Sequence, residues 1–255
     1  MNERRKHLEH NKKEQMVHSV FSEIASKYDI MNSVLSFNRH KAWRKFTMNK
    51  MNIQPGQSAV DICTGTADWA ISLSEAVGST GQVIGLDFCE DMLNVGREKV
   101  RKCKGDTCVT LQYGNAMELP FADNSFDYAT IGFALRNVPD IRQVVSEMAR
   151  VVKPGGKVVS LELSKPTWPP FRALYYLYFN HILPILGKLA IGKMEPYKWL
   201  PESLKNFPNH LELKAIFESV NLDTEVYQLT GGITAVHIGT KQINSSDKRE
   251  DSNVQ

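Results

Sequence analysis

Short apolar runs alternate with amphipathic stretches from residue 58 to residue 240. Ser58-Ala-Val-Asp-Ile-Cys63 is apolar and ends in a turn signal, the pattern of a strand buried on both faces. Asp68 to Ala76 then reads as a helix, with Asp68 as its cap. Gln82 to Asp87 predicts a second strand and Glu90 to Lys102 a second helix. Cys108 to Tyr113 and Phe126 to Phe133 predict two more strands. A helix over Ile141 to Val152 stops at Pro154-Gly155-Gly156, and a fifth strand follows from Gly156 to Glu162. The rhythm resumes with a helix at Leu211 to Val220, a strand at Thr224 to Leu229, Gly231-Gly232, and a strand at Ile233 to Thr240. Strands separated by helices predict β-α-β units, a mainly parallel sheet and right-handed crossovers. The last two strands are close enough to pair as an antiparallel hairpin.

One segment breaks the rhythm. Trp168 to Ile191 is the most aromatic stretch, with Phe171, Tyr175, Tyr178, Phe179 and Ile182 at helical spacing. Such a face suits the core of an inserted cap, the wall of an apolar pocket, or a membrane surface. Its longest stretch free of charged residues, Ala173 to Gly187, is shorter than the roughly 20 residues of a spanning helix. Met1 to Glu14 and Asn244 to Gln255 are polar and predict loose tails around a domain at residues 15–243, with the cap at 165–210. Met1 to Glu14 lacks the apolar run of a secretory signal.

Composition narrows the field. The 255 residues carry 31 Lys plus Arg against 28 Asp plus Glu, a net charge of +3. That is too weak to argue for nucleic acid, and the 42% hydrophobic content excludes a disordered chain. Cys63, Cys89, Cys103 and Cys108 form no Cys-x-x-Cys pair, which reads as reduced thiols in a cytosolic protein and gives no metal-ligand cluster.

The loop after the first strand reads Asp61-Ile-Cys63-Thr-Gly65-Thr66-Ala67-Asp68. Open α/β sheets bind nucleotides at this turn, and Gly65 lets the backbone approach a ligand. The loop lacks both G-x-G-x-x-G and the P-loop pattern, which disfavours a pyrophosphate and an NAD-dependent oxidoreductase and suits a nucleoside without phosphates. Asp87, at the end of the second strand, is placed to accept hydrogen bonds from both ribose hydroxyls. Asn115-Ala116, after the third strand, suits the edge and face of an adenine.

Loop, acid and polar turn in this order resemble the class I S-adenosylmethionine-dependent methyltransferases. Their Rossmann-like fold is a mostly parallel seven-stranded sheet with a C-terminal antiparallel hairpin strand. The family loop is roughly D-x-G-x-G-x-G, and here Cys63 and Ala67 replace two of its glycines. Two further stretches, Tyr28 to Trp43 and Arg150 to Ser164, are similar to the signatures of the ubiquinone/menaquinone biosynthesis C-methyltransferase family. Leu119 to Asp127 and Gly132 to Val138 are similar to it as well. The likeness covers roughly residues 16–241, and the Cys-Thr-Gly-Thr-Ala-Asp-Trp loop is more like the demethylmenaquinone enzymes of Gram-positive bacteria.

The resemblance implies carbon methylation of a prenylated naphthoquinol, demethylmenaquinol to menaquinol, with S-adenosylmethionine as methyl donor and no metal. The benzoquinol precursor of ubiquinone is the alternative substrate. A non-catalytic cofactor-binding subunit of a quinone-synthesis complex is the alternative of another class, and an RNA or protein methyltransferase lacks its recognition domain. The cofactor would be held by Gly65, Thr66, Asp87, Asn115 and Ala116. Arg136 and Asn137, at the end of the fourth strand, would stabilise the phenolate and orient the quinol oxygen. Tyr28, Asp29 and His40 would belong to a lid of helices at 15–50, with Tyr28 beside the sulfonium and His40 as a further candidate base. An isoprenoid tail implies a cytoplasmic protein in loose peripheral contact with the inner face of the membrane. Oligomeric state is left open, a homo-oligomer included.

Overall fold

The computed structural model describes residues 3–103, 108–182 and 195–243. Three helices lead in: α1 (Glu3–Ile24), α2 (Tyr28–Leu35) and α3 (Arg39–Met51). The alternating unit follows as β1 (Ser58–Ile62), α4 (Asp68–Val77), β2 (Gln82–Asp87), α5 (Glu90–Lys102) and β3 (Val109–Tyr113). It continues as β4 (Phe126–Gly132), α6 (Ile141–Val151) and β5 (Val152–Leu163). Helices α7 (Pro169–Leu177) and α8 (Glu195–Lys205) precede α9 (His210–Glu218), β6 (Leu222–Leu229) and β7 (Thr234–Lys241).

The seven strands form one sheet in the order β3-β2-β1-β4-β5-β7-β6. The first five are parallel; β7 runs antiparallel to β5 and to β6. The expected hairpin is therefore present, with β7 inside the sheet and β6 at its edge. From β1 the strands are added outward through β2 and β3 on one side, then through β4 and β5 on the other. That switch point opens a crevice at the C-terminal ends of the strands.

Side-chain alternation divides the core into two layers. Val60 and Ile62 join Leu86, Ile131, Met148 and Phe217 on one face, under α6 and α9. Ala59, one residue away, joins Trp43, Leu73, Val83, Val159 and Val236 on the other, under α3 and α4. Burial on both faces explains why β1 and β4 read as apolar runs.

Four local expectations change. Asp68 is the first residue of α4; the cap position belongs to Ala67 in the left-handed region, and no side chain closes the cap. Asp68 turns instead to Arg44 and Lys99. The stretch to Glu14, expected to be loose, is helical from Glu3. Its Glu, Lys and Arg residues are good helix formers, and Lys13 Nζ anchors it by donating to the Val138 carbonyl at 2.6 Å. Pro154-Gly155-Gly156 ends α6 but lies within β5, where a register shift between Phe126 and Tyr128 accommodates it as a bulge. The aromatic segment forms α7, followed by a π-helical turn at Tyr178–Ile182; residues 183–191 of that expected helix lie outside the described residues. Tyr175 is buried and the Tyr178 hydroxyl donates to the Leu35 carbonyl at 3.3 Å, which ties α7 to α2.

Candidate active site

The loop leaving β1 makes three left-handed steps, at Cys63 (φ 54°), Gly65 (φ 57°) and Ala67 (φ 65°). Glycine takes that conformation without penalty; Cys and Ala take it at a cost of about 1 kcal/mol each. The loop therefore holds a left-handed backbone at two non-glycine positions. The curl turns the Gly65 amide onto Asp87 Oδ2 at 2.8 Å, and the Cys89 amide donates to Oδ1 at 2.9 Å. Burial pushes Asp87 up to about 6, against the pull of these amides. Asp61 is also pushed up to about 6 by burial, although the Thr64 and Thr130 hydroxyls donate to it at 2.6 and 2.7 Å.

These strand ends floor two adjoining cavities. The larger encloses about 930 Å³, open mouth included, within the range that holds a nucleoside-sized ligand. Gly65, Asp87, Asn115, Ala116 and Asn137 are among the residues that line it. Asn115 shapes its own turn by accepting from the Met117 amide at 2.9 Å. The smaller cavity, about 530 Å³, is polar and lies between α2–α3 and the β1 loop. Its walls include Tyr28, His40, Arg44, Gly65, Thr66 and Asp68. Gly65 and Cys63 belong to both cavities, so the two are compartments of one cleft.

The sequence-derived cofactor residues therefore converge, with Asp87, Asn115 and Ala116 at one end and Thr66 at the other. A buried carboxylate, a polar turn and a glycine-lined floor without a phosphate cradle fit an adenosyl group. Tyr28 lies over the junction; burial raises its hydroxyl's pKa and keeps it neutral. His40 is buried, accepts or donates through Nδ1 to Ser36 Oγ at 2.7 Å, and burial lowers its pKa. Burial would raise Asp68, but Arg44 and Lys99 together hold it below the usual carboxylate range.

Arg136 and Asn137 part company. Asn137 lines the large cavity and its Oδ1 accepts from Trp199 Nε1 of α8 at 3.0 Å. Arg136 lines neither cavity. Its guanidinium donates to Glu162 at 3.1 Å and to the Phe133 carbonyl, and both side chains are buried. The other Glu162 oxygen accepts from the Leu135 amide at 2.7 Å. The pair thus fixes the 133–137 loop from behind.

Sequence reasoning overlooked three contributors. Glu14, Val17 and Phe21 of α1 line the large cavity, and the helical spacing of Val17, Phe21 and Ile24 is the signal that marks this face. Trp199 carries no local signal, since its role depends on where α8 docks. Lys99 reads as one of several basic residues on α5, yet it bridges Asp29 and Asp68.

A seven-stranded sheet of this order, with a cleft at its switch point, is the architecture of the class I S-adenosylmethionine-dependent methyltransferases. Solved structures agree at the level of the fold. An S-adenosylmethionine-dependent methyltransferase from Aquifex aeolicus matches 77% of this chain and 88% of its own, with a TM-score of 0.58 and 20% identity. The [4+2]-cyclase SpnF matches 79% and 80%, with a TM-score of 0.60 and 14% identity, so the architecture alone does not select the chemistry. Residues 9–241 match the ubiE/COQ5 methyltransferase family, and the chain belongs to that family. The demethylmenaquinone methyltransferase of Halalkalibacterium halodurans is 54% identical over 238 residues, 93% of this chain and 97% of the relative. That of Oceanobacillus iheyensis is 55% identical over 230 residues, 90% and 96% of the two chains.

Proposed function

We propose that this chain methylates a ring carbon of demethylmenaquinol, the reduced naphthoquinone of menaquinone synthesis, using S-adenosylmethionine. The observation that carries this reading is one cavity in which Asp87, Asn115 and Ala116, an adenosyl-type donor set, stand together with Asn137, itself tied to α8 through Trp199. Near-full-length identity to demethylmenaquinone methyltransferases favours the naphthoquinol over the benzoquinol.

Asp87 would accept from the ribose hydroxyls, Asn115 and Ala116 would receive the adenine, and Gly65 and Thr66 would border the amino-acid end. The cofactor, when bound, supplies an electrophilic sulfonium methyl. The protein's part is to orient the quinol, keep water out and favour its phenolate. Asn137 accepts from Trp199 through its carbonyl, which leaves its side-chain amide as the donor for the quinol oxygen. Arg136 is a positioning residue, holding that loop through Glu162, Phe133 and Leu135. His40, neutral at pH 7, borders the smaller cavity and can take a proton through water.

Helices α2–α3 act as a lid and α7–α8 as a cap for the isoprenoid tail. The tail reaches the cleft from a bilayer, which gives a cytoplasmic protein in loose peripheral contact with the membrane. No helix among the described residues is long and apolar enough to cross one.

The test is methyl transfer from labelled S-adenosylmethionine to chemically reduced short-tail demethylmenaquinone, beside the benzoquinol analogue. Label in the naphthoquinol alone is the expected result. Label in both keeps the chemistry and removes the ring preference. Label in neither, with cofactor binding intact, moves the chain to the non-catalytic subunit reading.

A further inference from the structure

Five side chains from five segments close a ring of charge at the rim of the smaller cavity. Lys99, on α5, donates to Asp29 Oδ2 at 2.7 Å, to Thr66 Oγ1 at 3.2 Å and to Asp68 Oδ1. The Thr66 hydroxyl donates to the other Asp29 oxygen at 2.6 Å. Arg44, on α3, donates to the other Asp68 oxygen at 3.1 Å. One ammonium thus uses its three donors on three acceptors, one on α2, one in the β1 loop and one at the start of α4. Thr66, Asp68 and Arg44 line the cavity; Lys99 and Asp29 do not. Lys99 therefore stands behind the site and cross-links its two walls.

The arrangement also sets what the cavity can bind. Two cations and two carboxylates make the ring neutral. Asp68 is shared between Lys99 and Arg44, and the remaining donors of the Arg44 guanidinium are left for another carboxylate. Without Lys99 the ring carries one net negative charge. Asp68 then claims Arg44 for itself, and Asp29 and Asp68 repel across the gap between lid and loop.

The geometry points to Lys99 as a positioning residue that latches α2–α3 onto the β1 loop and keeps Arg44 free for the carboxylate of the cofactor's amino-acid end. This rests on the cofactor assignment above. The latch acts on one half of the ligand, because Asp87 and Asn115 lie in the other compartment and share no partner with Lys99.

Ligand truncation tests it. Affinities of S-adenosylhomocysteine and of 5′-methylthioadenosine, which lacks the amino-acid end, are measured on wild type, Lys99→Met, Lys99→Arg and Asp29→Ala. The expected result is about a tenfold weaker affinity for S-adenosylhomocysteine in Lys99→Met, the size of one lost charge-assisted hydrogen bond. Methylthioadenosine affinity stays at the wild-type value. Asp29→Ala shifts the same ligand in the same direction, Lys99→Arg recovers most of the loss, and hydrogen exchange of α2–α3 speeds up in Lys99→Met. Equal weakening of both ligands, or of neither, in both Lys99→Met and Asp29→Ala overturns the proposal. Failure of the wild type to bind either ligand overturns the cofactor reading instead.

Discussion

Backbone strain and buried charge concentrate at the same few residues. Ala67 is fully buried at positive φ, so a β-branched side chain there meets both the left-handed backbone and a packed wall. Ala67→Val is expected to lose about 3 kcal/mol in urea unfolding, whereas Ala67→Gly stays within about 1 kcal/mol of wild type. Asp87 carries a pH dependence with opposite signs for folding and binding. Its folded pKa, about 6, lies above the ordinary carboxylate value of 3.8, so the folded chain holds the proton longer. Its contribution to stability is therefore greatest below pH 3.8 and is lost as pH rises through 6. Ribose hydroxyls need the ionised form as acceptor, so cofactor affinity falls as pH drops below about 6. Calorimetric titration across that range checks this, and Asp87→Asn is expected to bind weakly with a flatter profile. Asp87 and Asn115 were legible in the sequence because their chemistry and their places after two strands suffice to suggest a nucleoside. Arg136 was not. Its partner Glu162 lies on the neighbouring strand, and only the pairing of Gly132 with Leu161 brings the two together.

At the level of elements, that strand register has an energetic consequence. Glu162→Gln leaves the Arg136 charge buried without its counter-ion, and a loss of about 3 kcal/mol in denaturant unfolding is expected. Trp199→Phe removes only the donor to Asn137 and keeps the ring's bulk. If α8 aligns Asn137, turnover with short-tail naphthoquinol drops about tenfold while cofactor affinity holds, consistent with one lost hydrogen bond. An unchanged turnover number would separate α8 from the chemistry. The central strands β1 and β4 were legible because burial on both faces writes them as apolar runs. The part of the first helix up to Glu14 was not, since a charged segment reads as solvated until its docking at Val138 is known. The Asp68 cap misread has a similar origin: a helix-start Asp is the usual cap, but here Lys99 and Arg44 compete for it.

Across the whole molecule, cofactor occupancy is expected to stabilise the fold by mass action. At a hundred times its dissociation constant, S-adenosylhomocysteine adds about 2.7 kcal/mol, visible as a higher unfolding midpoint. The sheet itself was foreseeable from the alternation of elements. Its final strand has an implication for synthesis. Strand β7, at residues 234–241, inserts beside β5 and supplies the antiparallel partner for Lys157 to Leu163. Until that last segment leaves the ribosome, β5 presents a bare row of backbone donors and acceptors flanked by apolar side chains. A nascent chain arrested before residue 234 is thus an incomplete sheet with an adhesive edge. Its dependence on chaperones should last until residues 234–241 are free to pair and fall once they have inserted.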